Sequence, residues 1–323
     1  MHALLVLSSL MLVVLGGCTA LAALRRTQGW PRRRQMQLAV LAAPVLALGV
    51  GLWALHHFST RTCFLGTPSW DYVSGRALPV GMAVVALGGL ALGLVRIATL
   101  QFALGRHARL AGSHVQGIAD RMAANLRTVK PRVLIVGMRR PVAVTVGTRR
   151  PTILLSDWML SHLDSNELES VLAHEMGHVA RRDVLVTWLA TVLRDAFFYL
   201  PTSWAVYRQF QYERELVCDD LAVKATGRPF ALASALGKVW HQNLQGPIVG
   251  SAQALAASDE MIERRIHRLL ATPQGEASTR HGWVSVLGPG LQSLLGLATL
   301  LAANAVVMLT PMGCGPASAI WKV

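Results

Sequence analysis

Four stretches of this 323-residue chain, at 3–24, 36–55, 78–95 and 286–309, contain no Lys, Arg, Asp or Glu. Each is long enough to cross a hydrocarbon core as a helix, which takes about 20 residues. A soluble core does not need such runs. In lipid, by contrast, a helix satisfies all its backbone polar groups within itself. The rest of the composition agrees: 53% of residues are hydrophobic and 15% are charged, where soluble domains carry about 25%. The expectation is a mainly α membrane protein with four transmembrane helices. The long interval between the third and fourth leaves room for a folded domain.

The net charge of +14 is informative by position. Arg25, Arg26, Arg32, Arg33 and Arg34 lie between the first two runs, and only Arg61 and Arg76, with Asp71, between the next two. After the third run come Arg96, Arg106, Arg109, Arg121, Arg127, Lys130 and Arg132, among others, against the single acid Asp120. Positive-rich segments stay in the cytoplasm. This places both termini outside, and the first arginine loop and the large interval inside, in a multi-pass protein of the inner or plasma membrane. The arginines flank spans, so contact with the lipid bilayer explains them and direct nucleic-acid binding is not expected. "LGGC" (15–18) looks like a lipoprotein cleavage box, but the positive charge follows the apolar run instead of preceding it. An uncleaved first span is expected.

The expected domains are 1–104 (three transmembrane helices), 105–282 (a cytoplasmic α+β domain) and 283–323 (the fourth helix and a short outer tail). The third helix is expected to continue to Gly112. The β-branched runs at 133–136, 142–146 and 152–155 predict a small antiparallel sheet; 142–146 or 152–155 as the edge for an extended peptide and an ordinary covered sheet are equally compatible with these runs. Asp164 and Glu167 form a capping-box pattern that would start a helix through Ala180. A further apolar helix ends at Pro201, another stops near Gly227, and "DEMIERRIHRLL" is amphipathic. The stretch 245–258 reads as a loop. "GLALG" (89–93) is a small-xxx-small pattern compatible with helix pairing, and so with a homodimer through the spans.

The central motif is H-E-x-x-H at 174–178, inside the capped helix. Residues four apart share a helix face, so His174 and His178 can reach one Zn2+ ion, and Glu175 can take a proton from water at that ion. A third ligand is available on a later helix, where "ERELVCDD" supplies Glu213, Glu215, Asp219 and Asp220. Glu215 and Asp219 share a face, and spacing alone does not rank them. Cys218 beside them reads as a buried small residue, with a thiolate on the metal as the alternative. Cys63 and Cys314 both fall in segments expected outside. A disulfide and two free thiols are equally compatible with that placement.

Through "LESVLAHEMGHVARRD", "FFYLPTSW", "YERELVCDDLAV" and "ERRIHRLL" the chain resembles the BlaR/MecR-type integral membrane zinc metallopeptidases, gluzincin relatives. The order of three spans, a zinc domain and a fourth span matches as well. The resemblance implies a gluzincin-like cytoplasmic domain with His174, His178 and Glu215 on the metal. Glu175 would be catalytic, and Asp219 would sit behind the ligands. It also implies cleavage of a cytoplasmic protein, a winged-helix repressor of the BlaI/MecI kind, in transmembrane signalling. No extracellular penicillin-binding sensor follows the fourth run in this sequence, so sensing through such a domain is not expected. The E-x-x-x-D pattern is shared with HtpX/Ste24-type proteases, so a quality-control protease is an alternative. A non-catalytic zinc-binding scaffold is another, opposed by the intact Glu175.

Overall fold

The computed structural model describes residues 2–24, 29–60, 69–106, 108–244, 252–271 and 288–309. Cys63 and Cys314 lie outside these residues. The elements run α1 (His2–Leu24), α2 (Trp30–Thr60), α3 (Ser69–Arg106), β1 (Ala108–Leu110), α4 (Ser113–Asn125), β2 (Arg132–Val136), β3 (Ala143–Val146) and β4 (Thr152–Ser156). They continue with α5 (Asp157–His162), α6 (Ser165–Ala180), α7 (Asp183–Ala196), α8 (Pro201–Thr226), α9 (Pro229–Leu244), α10 (Ala252–Ala271) and α11 (Gly288–Leu309). The chain divides into two compact units.

The helical unit comprises Met1–Val95, Ala190–Phe210 and His281–Val323. Three of its helices are long and apolar enough to cross a membrane: Leu5–Leu24, Trp30–Trp53 and Ala77–Arg96. In α11 the apolar stretch found among the described residues is shorter, Ser293–Val306. Leu7, Met11, Leu15, Val84, Leu87 and Leu92 stand exposed, an outward apolar surface suited to lipid. Inside, Val13, Ala43 and Ala47 pack with Leu294 and Leu297. Asn304 donates to Ser8 Oγ at 2.9 Å and to Ser9 Oγ at 3.2 Å. Such polar links join helices where lipid removes the hydrophobic drive between them. The "GLALG" pattern is used within the chain: a Cβ on Gly89 would lie 2.1 Å from the Asp195 carbonyl oxygen, and one on Gly93 would lie 3.0 Å from the Asp195 carboxylate. Arg194 is buried there, pairs with Asp195, and lies 4.8 Å from the Trp204 ring centroid and 4.4 Å from that of Tyr207.

The α+β unit comprises Arg96–Leu189 and Gln211–Arg280. Its sheet has the order β1-β2-β4-β3. The expected antiparallel sheet is corrected to a mixed one: β2 and β4 run parallel, paired from Arg132↔Thr152 to Val136↔Ser156, while β1–β2 and β3–β4 are antiparallel. After β2 the chain passes beyond β4's position to form β3, then returns between β2 and β3 as β4. As a result β3 is the edge and β4, paired on both sides, is not. The third helix ends at Arg106 instead of Gly112, because Ala108–Leu110 finds strand partners on β2. α10 begins at Ala252, inside the stretch expected as a loop. α4 and α9 are elements that the sequence reading did not anticipate. The core joins Ile118 and Met122 of α4, Val133 and Ile135 of β2, Ile153 and Leu155 of β4, Leu172 and Met176 of α6, and Leu232 of α9.

Candidate metal centre

α6 starts on the expected capping box. The Asp164 carboxylate accepts from the N–H groups of Asn166 and Glu167 at 2.8 and 2.9 Å, and Glu167 accepts from the Asp164 N–H at 2.8 Å. From Glu167 to Val179 nearly every residue of the helix is buried. A helix buried all round must find partners for its polar side chains, and α6 buries five of them: Glu167, Ser170, His174, Glu175 and His178. Glu167 is the first to be satisfied, accepting from Lys238 Nζ at 2.7 Å and Ser234 Oγ at 2.6 Å on α9. Burial alone would raise its pKa, but Lys238, Ser234 and the Asp164 N–H outweigh it and hold the carboxyl below 4.5.

The two histidines meet Glu215 of α8. His174 Nε2 lies 3.2 Å from Glu215 Oε2, and His178 Nε2 lies 3.8 Å from Glu215 Oε1. Each imidazole has a carboxylate behind its other nitrogen. His174 Nδ1 is 2.9 Å from Asp219 Oδ1, and His178 Nδ1 is 3.1 Å from Asp183 Oδ2. Cations close the arrangement. Arg265 of α10 donates to both oxygens of Asp219 at 2.8 Å and lies 3.4 Å from Glu215. Arg214 donates to Glu215 at 2.6 Å and to Thr187 at 2.6 Å. Burial opposes a charge on His174, yet Asp219 and Glu215 lift its pKa to about 9. Burial would likewise raise Glu215, but His174, Arg214 and His178 keep it well below the usual carboxylate range.

This donor set fits zinc. The ligand atoms of His174, His178 and Glu215 all lie within 4.8 Å of one another. Tetrahedral ligands at about 2.0–2.1 Å from a zinc ion would stand roughly 3.3 Å apart. The carboxylate behind each imidazole fixes the ring so that Nε2 faces inward. Asp219 lies against His174 on the side away from Glu215. Asp183 was missed as a partner of His178, although it follows that histidine by only five positions. Arg265, Arg214 and Thr145 were missed as well, since nothing local marks a residue that acts from another helix or strand. Glu213 is buried, and Asp220 pairs with Arg268 at 3.0 Å; neither belongs to the donor trio.

Glu175 accepts from Thr145 Oγ at 2.7 Å, so the edge strand β3 holds this carboxylate in place. Glu175, His174, Glu215 and Arg265 line one side of a cavity of about 330 Å³. Cys218 is fully buried, 3.2 Å from His178 Nδ1 and 3.7 Å from Asp183. Burial, reinforced by Asp183, pushes its thiol well above the ordinary value. A Cβ on Gly177 would meet Cys218 at 3.3 Å, so α6 and α8 approach as closely as their small residues allow.

Two imidazoles and a carboxylate converging on one point, with a second carboxylate held alongside on an H-E-x-x-H helix, are the arrangement of metal-dependent peptidases. The chain belongs to the family described as BlaR1 peptidase M56, which it matches over residues 74–269. Its curated relatives include Protease HtpX homolog 1 of Streptomyces coelicolor, 34% identical over 161 residues, covering 39% of this chain and 53% of that protein. The Protease HtpX homolog of Methanopyrus kandleri is 25% identical over 207 residues, covering 48% and 65%. That of Aquifex aeolicus is 27% identical over 218 residues, covering 49% and 72%. The chain therefore spans only about half to two thirds of the length of the first two.

Proposed function

We propose that this protein is an integral membrane zinc endopeptidase of broad, quality-control type, acting on proteins at the cytoplasmic face. The convergence of His174, His178 and Glu215 beside Glu175 carries the reading. A zinc ion held by these residues would supply a Lewis acid for the peptide carbonyl and make water at the site more acidic. Glu175, steadied by Thr145, would take the proton from that water and pass it to the departing amine. Asp219 and Asp183 orient the imidazoles. Arg265 and Arg214 keep Asp219 and Glu215 anionic. β3 offers its edge to an extended peptide.

The repressor-cleaving role implied by the BlaR/MecR resemblance is the second reading. The family's description favours it, while the HtpX names of the relatives favour the first. The arginine pattern supports a cytoplasmic site, outer termini and α11 as the fourth span. With Glu175→Gln, zinc content should stay at the wild-type level while cleavage of co-expressed substrates falls by roughly 10²–10⁴-fold. Equal cleavage by both proteins would sink the peptidase reading. Comparing the proteomes of the two strains separates many membrane substrates from one repressor.

A further inference from the structure

Lipid accounts for arginines that flank spans, but four others stand elsewhere. Arg139 and Arg140 lie in the connection before β3, and Arg149 and Arg150 in the connection after it. β1, α4 and β2 separate them from the end of α3. All four are exposed. Among the described residues none of their guanidinium groups has a partner. Surface acids of the same unit already face other cations: Asp157 meets Arg109, Asp120 meets Lys130, Glu169 meets Arg228 and Asp220 meets Arg268. Both connections are held by backbone bonds. The Met138 carbonyl accepts from the Trp158 N–H at 3.4 Å, and the Pro151 carbonyl accepts from the Arg132 N–H at 3.0 Å. At Gly147 φ is 81°, and a Cβ there would lie 2.6 Å from the Arg150 carbonyl oxygen, so the second connection folds back tightly. Two arginine pairs therefore bracket the edge strand, one at each end.

The strand between them has free backbone groups. The Val142 carbonyl accepts from the Ser156 N–H at 2.8 Å, which fixes the alternation of the antiparallel ladder. Val144 and Val146 pair with β4, while Ala143 and Thr145 turn their N–H and C=O groups to the open edge. The same two residues connect to the metal centre. Ala143 lines its cavity, whose apolar side is Leu232, Leu236 and Val239 of α9, and Thr145 holds Glu175. We infer that the two arginine pairs anchor carboxylates of the substrate, one pair on each side of the cleaved bond, so that segments with acidic residues at both flanks are preferred. The inference rests on the peptidase reading and names its substrate class. An extended peptide advances about 3.4 Å per residue, so the acids would stand roughly two to four positions outside the residues paired with Ala143 and Thr145. Guanidinium groups match carboxylates bidentately. Such contacts are equal in the bound substrate and in the transition state, so they lower KM and leave kcat unchanged.

The test uses the full-length, zinc-loaded protein in a neutral detergent. The substrates are peptides of one shared core with Glu, Gln or Lys pairs at either or both flanks, and the cut is located by mass spectrometry. Glu at both flanks should lower KM by roughly 5- to 50-fold against Gln, as expected of several exposed ion pairs acting together. Lys should be poorest, and salt at about 1 M should erase the differences. Arg139→Glu with Arg140→Glu should reverse the preference at one flank alone, and Arg149→Glu with Arg150→Glu at the other. The inactive Glu175→Gln protein should bind the uncleaved peptides in the same order, read by fluorescence anisotropy. Zinc content and thermal unfolding report whether each double variant has folded. Where one has not, the Gln version of that pair decides, since it must abolish the preference at its flank. Glu175-dependent cleavage indifferent to flanking charge, or a preference that neither double variant moves, overturns the proposal and leaves the peptidase standing. In that case vesicles of phosphatidylcholine with and without phosphatidylserine assign the arginines: a rate raised by phosphatidylserine in the wild type alone gives them to the bilayer surface. No Glu175-dependent cleavage of any peptide overturns both.

Discussion

Each unit pairs a buried arginine with an aspartate, and the two pairs serve different ends. In the helical unit Arg194 and Asp195 are neighbours in sequence, and the guanidinium lies against Trp204 and Tyr207. That pair hides its own charge in a small space. In the α+β unit Arg265 and Asp219 come from different helices, 46 residues apart in sequence, and Asp219 lies against His174. The second pair transmits a constraint: α10 fixes α8, and α8 fixes the His174 imidazole. A buried pair formed between neighbours stabilises locally, whereas one formed at long range can orient a site.

The comparison breaks most sharply at Arg265. Arg265→Ala leaves Asp219 buried without its cation, which costs about 3–5 kcal/mol. It should also weaken zinc binding by roughly 10–100-fold, measured by thermal unfolding and competition with a chelator. Arg194→Ala should destabilise without changing zinc affinity; an equal loss of affinity would erase the distinction between the pairs. Next come the glycines. Gly177→Ala needs α6 and α8 to separate by a few tenths of an ångström and should cost about 1–3 kcal/mol. Gly89→Ala meets a backbone carbonyl that has no side-chain freedom, so it should cost more, and calorimetry of the two variants ranks them.

The smallest effect concerns pH. The carboxyl of Glu167 is held below 4.5 in the folded protein. Its contribution is complete above the unfolded value and fades as pH falls through the folded one. Lys238→Met should therefore flatten the loss of stability as the solution is acidified from about pH 6 to about pH 3. An unchanged pH profile would mean that Lys238 does not hold the carboxylate.

What the sequence made legible was whatever depends on short spacing. The charge-free runs, the Asp164 capping box and the trio of His174, His178 and Glu215 all follow from residues a few positions apart, or from a motif resemblance. What it hid depends on pairing at a distance. Ala108–Leu110 is a strand only because β2 lies beside it, so its three residues carried no signal of their own. The parallel pairing of β2 and β4 was hidden because short strands with short connections look like hairpins. Asp183, Thr145 and Arg265 are ordinary polar residues until the fold sets them against His178, Glu175 and Asp219. α9 illustrates the cost: the helix that forms the apolar side of the cavity was not anticipated, and neither was the cavity.

The contact between Gly177 and Cys218 has a further consequence. Gly177 follows His174 by three positions and precedes His178, while Cys218 follows Glu215 by three and precedes Asp219. The point of closest approach between the helices therefore lies level with the ligands on both sides. The gap between α6 and α8 acts as a calliper, and its setting fixes how far the histidines of α6 stand from Glu215 of α8. A bulkier residue at either position would open the jaws and draw His174 and His178 away from Glu215, so the span of the trio is written in two residues that lie outside it.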